Sequence, residues 1–279
     1  ADDALGEPLT KLMAEGPAEN LNLTVNTQPA ILAASCAVYE AWLAAGGVKP
    51  ALAAGHSLGE YSALTAAGVF TLEEAVRLVR FRANAMQEAV PVGVGAMAAV
   101  IGLTDETVEA ACASVRADEG VEPVNFNSPG QVVIAGHKAA VERACEACKA
   151  VGAKRALMLA VSGPFHSQLL KGAAEKLAGR LAEITVNTPQ FDVIANVDAE
   201  FEADADVIRR NLALQAASPV QWVKTVRKMK AEGVTHVVEC GPGRVLTGLI
   251  RRIDPTLETA NISSAASIAE LVAKDGFHV

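Results

Sequence analysis

Apolar and polar residues follow two periods along the chain, and the switches between them mark the elements. Thr27–Ala45 has a helical period and stops at Gly46-Gly47, with Pro29 expected in its first turn. Lys49–Gly55 is a short apolar run of strand type. Helical runs over Leu58–Ala67 and Thr71–Ala89 follow it, the second with Thr71 as cap and Glu73 and Glu74 in its first turn. A strand running straight into a helix indicates α/β layering. Residues 1–26 are polar and broken by Gly6, Pro8, Gly16 and Pro17, and no element is assigned there.

From Pro91 the pattern changes. Strands over Gly95–Gly102, Val121–Asn127, Gln131–Gly136 and Lys154–Val161 enclose helices over Thr104–Asp118 and Lys138–Val151. The order β-α-β-β-α-β is that of a ferredoxin-like unit. It is read as an insertion over 91–161, dividing a larger unit of residues 1–90 and 162–279. The larger unit resumes with helices over Leu169–Ile184, Asp204–Gln215, Val220–Glu232 and Val245–Ile253, and with strands over Phe191–Asn196 and His236–Glu239. No internal repeat is present, which removes solenoid folds.

Composition narrows the function. Hydrophobic residues at 51% against 20% charged indicate a globular chain, and only 4% aromatic residues leave the core to Ala, Val, Leu and Ile. Lys plus Arg number 24 and Asp plus Glu 32, a net charge of −8 that argues against nucleic-acid binding. No apolar stretch approaches the roughly 20 residues of a membrane span. The acidic start Ala1-Asp2-Asp3 is unlike a secretory leader, and the five cysteines are odd in number and scattered. A reduced, cytoplasmic protein is expected. Cys145 and Cys148 are spaced as C-x-x-C, but they fall inside a helical run with no second pair, so they read as ordinary helix residues.

One motif carries chemistry. Gly55-His56-Ser57-Leu58-Gly59 matches G-x-S-x-G with a strand before it and a helix after it, the setting of a strained nucleophile turn. The Leu58 amide, next after the serine, is then placed to bind an oxyanion. The bases available are His56, His137, His166, His236 and His278. His56 adjoins the serine, but neighbours at such a turn point different ways. His166 follows a strand end in Val161-Ser162-Gly163-Pro164-Phe165-His166, where active-site loops gather in α/β proteins, and it is preferred. On the helix Thr71–Ala89, at ~100° per residue, Arg82 lies roughly 70° from the centre of the apolar stripe. It therefore leans inward and needs an anion, either a structural carboxylate or a substrate one. Gly241-Pro242-Gly243 lacks the spacing of a phosphate loop and reads as a turn.

Several blocks together resemble the malonyl-CoA:acyl carrier protein transacylases. They are Thr27-Gln28-Pro29-Ala30, Gly55-His56-Ser57-Leu58-Gly59-Glu60, Gln87–Pro91, Val124–Gln131, Gly163–Ser167, Ser218–Trp222 and Glu239–Gly243, in order over nearly the whole chain. The resemblance implies an α/β fold: a hydrolase-like large domain with a central, mostly parallel sheet, interrupted by the ferredoxin-like subdomain, with the active site between them. It implies Ser57 as acylated nucleophile, His166 as base, and the main-chain carbonyl of Gln215 as the group orienting the imidazole. Arg82 would hold the malonyl carboxylate, Met86 would line the acyl pocket, and Phe165 would disfavour a 2-methyl branch. His56 is grouped with these substrate-binding residues.

The same resemblance implies ping-pong transfer from malonyl-CoA to the phosphopantetheine thiol of acyl carrier protein, in fatty acid or polyketide synthesis. No metal or redox cofactor is expected, and a monomer is. The family opens on a short strand and a Gly-Gln-Gly segment whose glutamine amide completes the oxyanion hole. Nothing here resembles it, and we expect that segment to precede Ala1 in the natural protein. Lys154, Arg155, Lys171, Arg251 and Arg252 are candidates for docking an acidic carrier. Two other readings stay open: a serine esterase or thioesterase on the same turn, and a docking module that no longer catalyses.

Overall fold

A computed structural model describes residues 1–115, 119–274 and 276–277. Among them the apolar runs form eight strands: β1 (Leu52–Ala54), β2 (Gly95–Ile101), β3 (Val121–Ser128), β4 (Gln131–His137), β5 (Arg155–Met158), β6 (Asp192–Ile194), β7 (His236–Cys240) and β8 (Glu258–Ile262). His278 and the expected helix end at Asp118 lie outside the described residues.

Strands β2 to β5 form one antiparallel sheet in the order β3-β4-β2-β5, which is ferredoxin-like. Gly130 turns β3 into β4 at φ 75°, a conformation that favours glycine. The period-two pattern of β2 sends Ala98 and Val100 toward the helices Asp105–Val115 and Lys138–Ala150. Cys112, Cys145 and Cys148 are buried there as small core residues. Met97, Val124, Val133 and Ala135 occupy the opposite face, with Phe165 packed on them. Val220 joins the units: its N–H donates to Val124 O at 2.8 Å, and its carbonyl accepts from Phe126 N at 3.0 Å.

The other four strands are parallel, as expected, in two pairs, β1 with β6 and β7 with β8. Helices Thr24–Ala44, Leu58–Ala66, Leu72–Glu88, Lys171–Ala182 and Ala205–Gln215 enclose a core that includes Leu32, Tyr61, Leu64, Val79, Leu177 and Leu212. Packing of their apolar residues into this core stabilises them more than propensity does.

Three expectations change. The first long helix begins at Thr24, so Pro29 is internal rather than in the first turn. The polar N-terminal stretch holds the helices Asp2–Leu5, Leu9–Glu15 and Ala18–Leu21. The strand expected to reach Val161 stops at Met158, and beyond it Leu159 and Val161 are exposed.

Gly55, directly after β1, packs on the helix that follows. A Cβ there would stand 1.9 Å from the carbonyl carbon of Gly59. Gly55→Ala should therefore lower the free energy of unfolding by at least about 1–3 kcal/mol, the usual cost of overpacking. Denaturant unfolding of the two proteins measures it, and equal midpoints would contradict the packing described.

Candidate active site

β1 ends at Ala54 and the next helix starts at Leu58, so three residues must make a sharp turn. Ser57 sits there at φ 52°, ψ −109°. A non-glycine residue in so sparsely populated a conformation costs about 1–3 kcal/mol and persists only when its surroundings over-determine it. They do. Ser57 N donates to Asn196 Oδ1 at 2.6 Å, and Gln215 Nε2 donates to Ser57 O at 2.9 Å. Asn196 Nδ2 also donates to Gly55 O at 2.6 Å. The first-turn amide of Leu58 opens the helix, where N–H groups lack intrahelical partners.

His166 is also strained, at φ 66°, and is only 4% exposed. Its Nε2 lies 2.7 Å from Ser57 Oγ and its Nδ1 2.8 Å from the carbonyl of Gln215. A carbonyl can only accept, so Nδ1 carries the proton and Nε2 presents a lone pair to the serine hydroxyl. Burial, with the Arg82 charge adding to it, pushes the imidazole down to about 3. The ring is therefore neutral, as a general base must be.

Arg82 is buried at 1% exposure. Nη1 donates to Gln28 Oε1 at 2.7 Å, and Nη2 donates to Gln215 Oε1 at 2.8 Å and to Ser57 Oγ at 3.0 Å. The guanidinium also lies over the Tyr61 ring, 5.2 Å from its centroid. These direct partners are all neutral. The structural carboxylate contact left open by the sequence is not among them.

The remaining candidates fall nearby. Met86 is buried one turn beyond Arg82, with its Sδ 4.0 Å from Gln28 Nε2. Phe165, beside His166, bridges the insertion's sheet and the cluster around Met86. His56 turns away from Ser57: its Nε2 lies 2.7 Å from Asn127 Oδ1 on β3, and its ring packs on Trp222. His137 precedes a helix of the insertion, and His236 pairs with Glu258 at 3.3 Å, so neither joins the site. The Gly241-Pro242-Gly243 turn is no phosphate loop, because the carboxylate of Glu239 already accepts from Leu246 N and Thr247 N.

Sequence reasoning passed over Gln28, Glu60, Asn127 and Asn196 as functional residues. Glu60 is fully buried, with Oε2 accepting from Asn196 N and from Gln215 Nε2, each at 2.9 Å, and burial holds its carboxyl above the usual range. An acidic residue in the first turn of a helix suits the dipole, which hides any second role. Asn196, just past a strand end, carries no sequence signal of its own.

The model for the acyl transferase domain matches residues 2–276. The chain belongs to that family. Among curated relatives, malonyl CoA-acyl carrier protein transacylase of Escherichia coli K12 is 56% identical over 269 residues, covering 96% of this chain and 87% of the relative. The protein of the same name from Bacillus subtilis is 45% identical over 270 residues, covering 96% and 84%. Among solved structures, the acyl-carrier-protein S-malonyltransferase of Burkholderia pseudomallei superposes with a TM-score of 0.95 at 56% identity, covering 96% of this chain and 88% of that one. A type II PKS acyl-carrier protein in complex with its malonyl-transacylase gives 0.94 at 54% identity, covering 96% and 86%. This acyl transferase therefore shares both sequence and architecture with its relatives over almost its whole length.

The depressed histidine has a consequence for stability. Below about pH 6.5 the unfolded chain takes up a proton that folded His166 refuses, so its contribution is lost as pH falls from 6.5 toward 3. Glu60 and Glu202, both raised by burial, act in the opposite sense. Comparison with His166→Ala isolates the histidine. The stability of wild type relative to that variant should fall by up to about 1.4 kcal/mol per pH unit between pH 6 and 4. Thermal unfolding across that range measures it, and a pH-independent difference would mean His166 is charged in the folded enzyme.

Proposed function

We propose that this acyl transferase moves the malonyl group from malonyl-CoA to the phosphopantetheine thiol of an acyl carrier protein, through malonyl-Ser57. The observation that carries the reading is the neutral, carbonyl-oriented His166 at 2.7 Å from a strained serine, with a buried cation 3.0 Å from the same oxygen. An acidic triad member, which the esterase reading requires, does not orient this histidine.

In the first half-reaction the Ser57 hydroxyl passes its proton to His166 Nε2 as Oγ attacks the thioester carbonyl. The oxyanion is received by the Leu58 amide. Collapse breaks the C–S bond, and the departing thiolate takes the proton from His166. In the second half the carrier's thiol gives its proton to His166 and attacks the malonyl ester. Its collapse returns the serine hydroxyl. Arg82 holds the free carboxylate by paired charge-assisted hydrogen bonds, the carboxylate displacing the neutral amide oxygens of Gln28 and Gln215 as acceptors. Met86 and Phe165 bound the acyl pocket, and His56 with Asn127 ties its rim to the insertion.

No described helix is long and apolar enough to cross a membrane, and a cytoplasmic site of action fits the odd, scattered set of five cysteines. Lys154, Arg155, Lys171, Arg251 and Arg252 are exposed and serve as candidates for carrier docking.

Ser57→Ala should abolish the mass increase that malonyl-CoA produces on the intact protein, with unchanged circular dichroism. Persistent labelling would place the nucleophile elsewhere. Arg82→Ala should cost malonyl transfer about 2–5 kcal/mol, since a shielded carboxylate loses its partner. Acetyl transfer makes no use of that contact and should hold or improve. The ratio of kcat/KM for malonyl-CoA to that for acetyl-CoA decides, and a parallel decline of both would make Arg82 structural.

A further inference from the structure

We infer that Asn196 is a positioning residue: its side-chain amide takes over from the backbone ladder where β1 leaves the sheet, and holds Ser57 in its reactive conformation. This inference rests on the reading of Ser57 as nucleophile and explains how that serine is kept poised.

The parallel pairing of β1 with β6 ends at Ala54 and Ile194. Beyond this point the turn carries the Ser57 backbone out of register, and a peptide group of β6 can no longer reach it. Asn196, two residues past the last pair, fills the gap with a side chain. Its Nδ2 donates to Gly55 O and its Oδ1 accepts from Ser57 N, both at 2.6 Å. One planar amide thus grips the carbonyl two residues before the strained residue and the N–H of the strained residue itself, as a neighbouring strand would.

The amide is itself immobilised. Asn196 is fully buried, its N–H donates to Glu60 Oε2 at 2.9 Å, and its carbonyl accepts from Gln221 N at 3.0 Å. All four of its polar groups are occupied, so no rotamer change is free. Glu60 Oε2 also accepts from Gln215 Nε2, which in turn donates to Ser57 O. A single carboxyl oxygen therefore accepts from the main chain of Asn196 and from the side chain of Gln215, the two residues whose side-chain amides hold the N–H and the carbonyl of Ser57. Two consequences follow for the reaction. Ser57 N is committed to Asn196, which leaves the Leu58 amide as the turn's donor to an oxyanion. The serine oxygen lies 2.7 Å from His166, and the hydrogen bonds of Asn196 itself go to Ser57, Gly55, Glu60 and Gln221, not to Arg82 or Met86. Loosening Asn196 should then slow chemistry without weakening substrate binding, because a misplacement of about 1 Å can cost ~10²-fold in rate.

The test uses a serine-directed fluorophosphonate probe together with steady-state malonyl transfer on the intact protein. Wild type should label and Ser57→Ala should not; absence of labelling in wild type would overturn the nucleophile reading itself. In Asn196→Ala the labelling rate and kcat should both fall on the order of 10²-fold, with KM for malonyl-CoA within about twofold of wild type. Asn196→Asp has the same shape and keeps an acceptor for Ser57 N, but sets an acceptor against Gly55 O, and should lie between the two. If Asn196→Ala does not fold, Asn196→Asp decides on the same readouts. Labelling and kcat at wild-type rates, or a raised KM with kcat unchanged, would overturn the positioning role.

Discussion

A guanidinium taken out of water must be solvated by the protein, at a cost of several kcal/mol if it is not. Arg82 sets that requirement at the centre of the large domain. Its solvation draws on Gln28, Tyr61, Ser57 and Gln215, so four helices (Thr24–Ala44, Leu58–Ala66, Leu72–Glu88 and Ala205–Gln215) meet around one cation. The meeting point also fixes the chemistry. Gln215 is the last residue of its helix, and while its side chain serves Arg82, its main-chain carbonyl orients His166. The same positive charge helps keep that imidazole neutral.

Strain at Ser57 and His166 is tolerable because it is local and the support is dense. Each buried hydrogen bond contributes about 0.5–1.5 kcal/mol net, so the few that hold the Ser57 turn match its conformational cost. The ferredoxin-like insertion supplies the other wall. Its helix-free face carries Phe165, and Asn127 on its β3 edge receives His56. The insertion is therefore joined to the site by His56 and Phe165, the residues next to Ser57 and His166.

The strands β2 to β5 could be read from the sequence because short apolar runs such as Ala96–Ile101 and Val132–Ala135 are bounded by turn residues, above all Asn127-Ser128-Pro129-Gly130. The serine turn was legible for a similar reason: strand, G-x-S-x-G and helix agree locally. The C-terminal strand Glu258–Ile262 and helix Ala265–Val272 were not assigned, since β8 is short and gains its stability only by pairing with β7. Pro29 misled for a like reason. A proline marks a first turn by local rules, whereas here the helix extends to Thr24 and tertiary packing overrides the local cost. Inward leaning of Arg82 could be read from helical phase, but its neutral partners could not, because Gln28 and Gln215 lie 54 and 133 residues away. Glu60 and Asn196 were invisible as functional residues because what they do is defined only by groups brought together in the fold.

The choice of a carbonyl to orient His166 is a consequence of the cation beside it. A serine hydrolase places a carboxylate at this point, which fixes the tautomer and stabilises the imidazolium. Within reach of a buried guanidinium such a carboxylate would form an ion pair, and the cation would no longer be free to select a substrate anion. The Gln215 carbonyl fixes the same tautomer without a full charge. Glu60 is consistent with this limit. It is the acidic group that acts electrostatically on Arg82, yet burial raises its pKa and its Oε2 is occupied by two N–H donors. On the proposed role of Arg82 as reader of a substrate carboxylate, the site must keep its own carboxylates from pairing with that cation, and it orients the His166 imidazole with a backbone dipole instead.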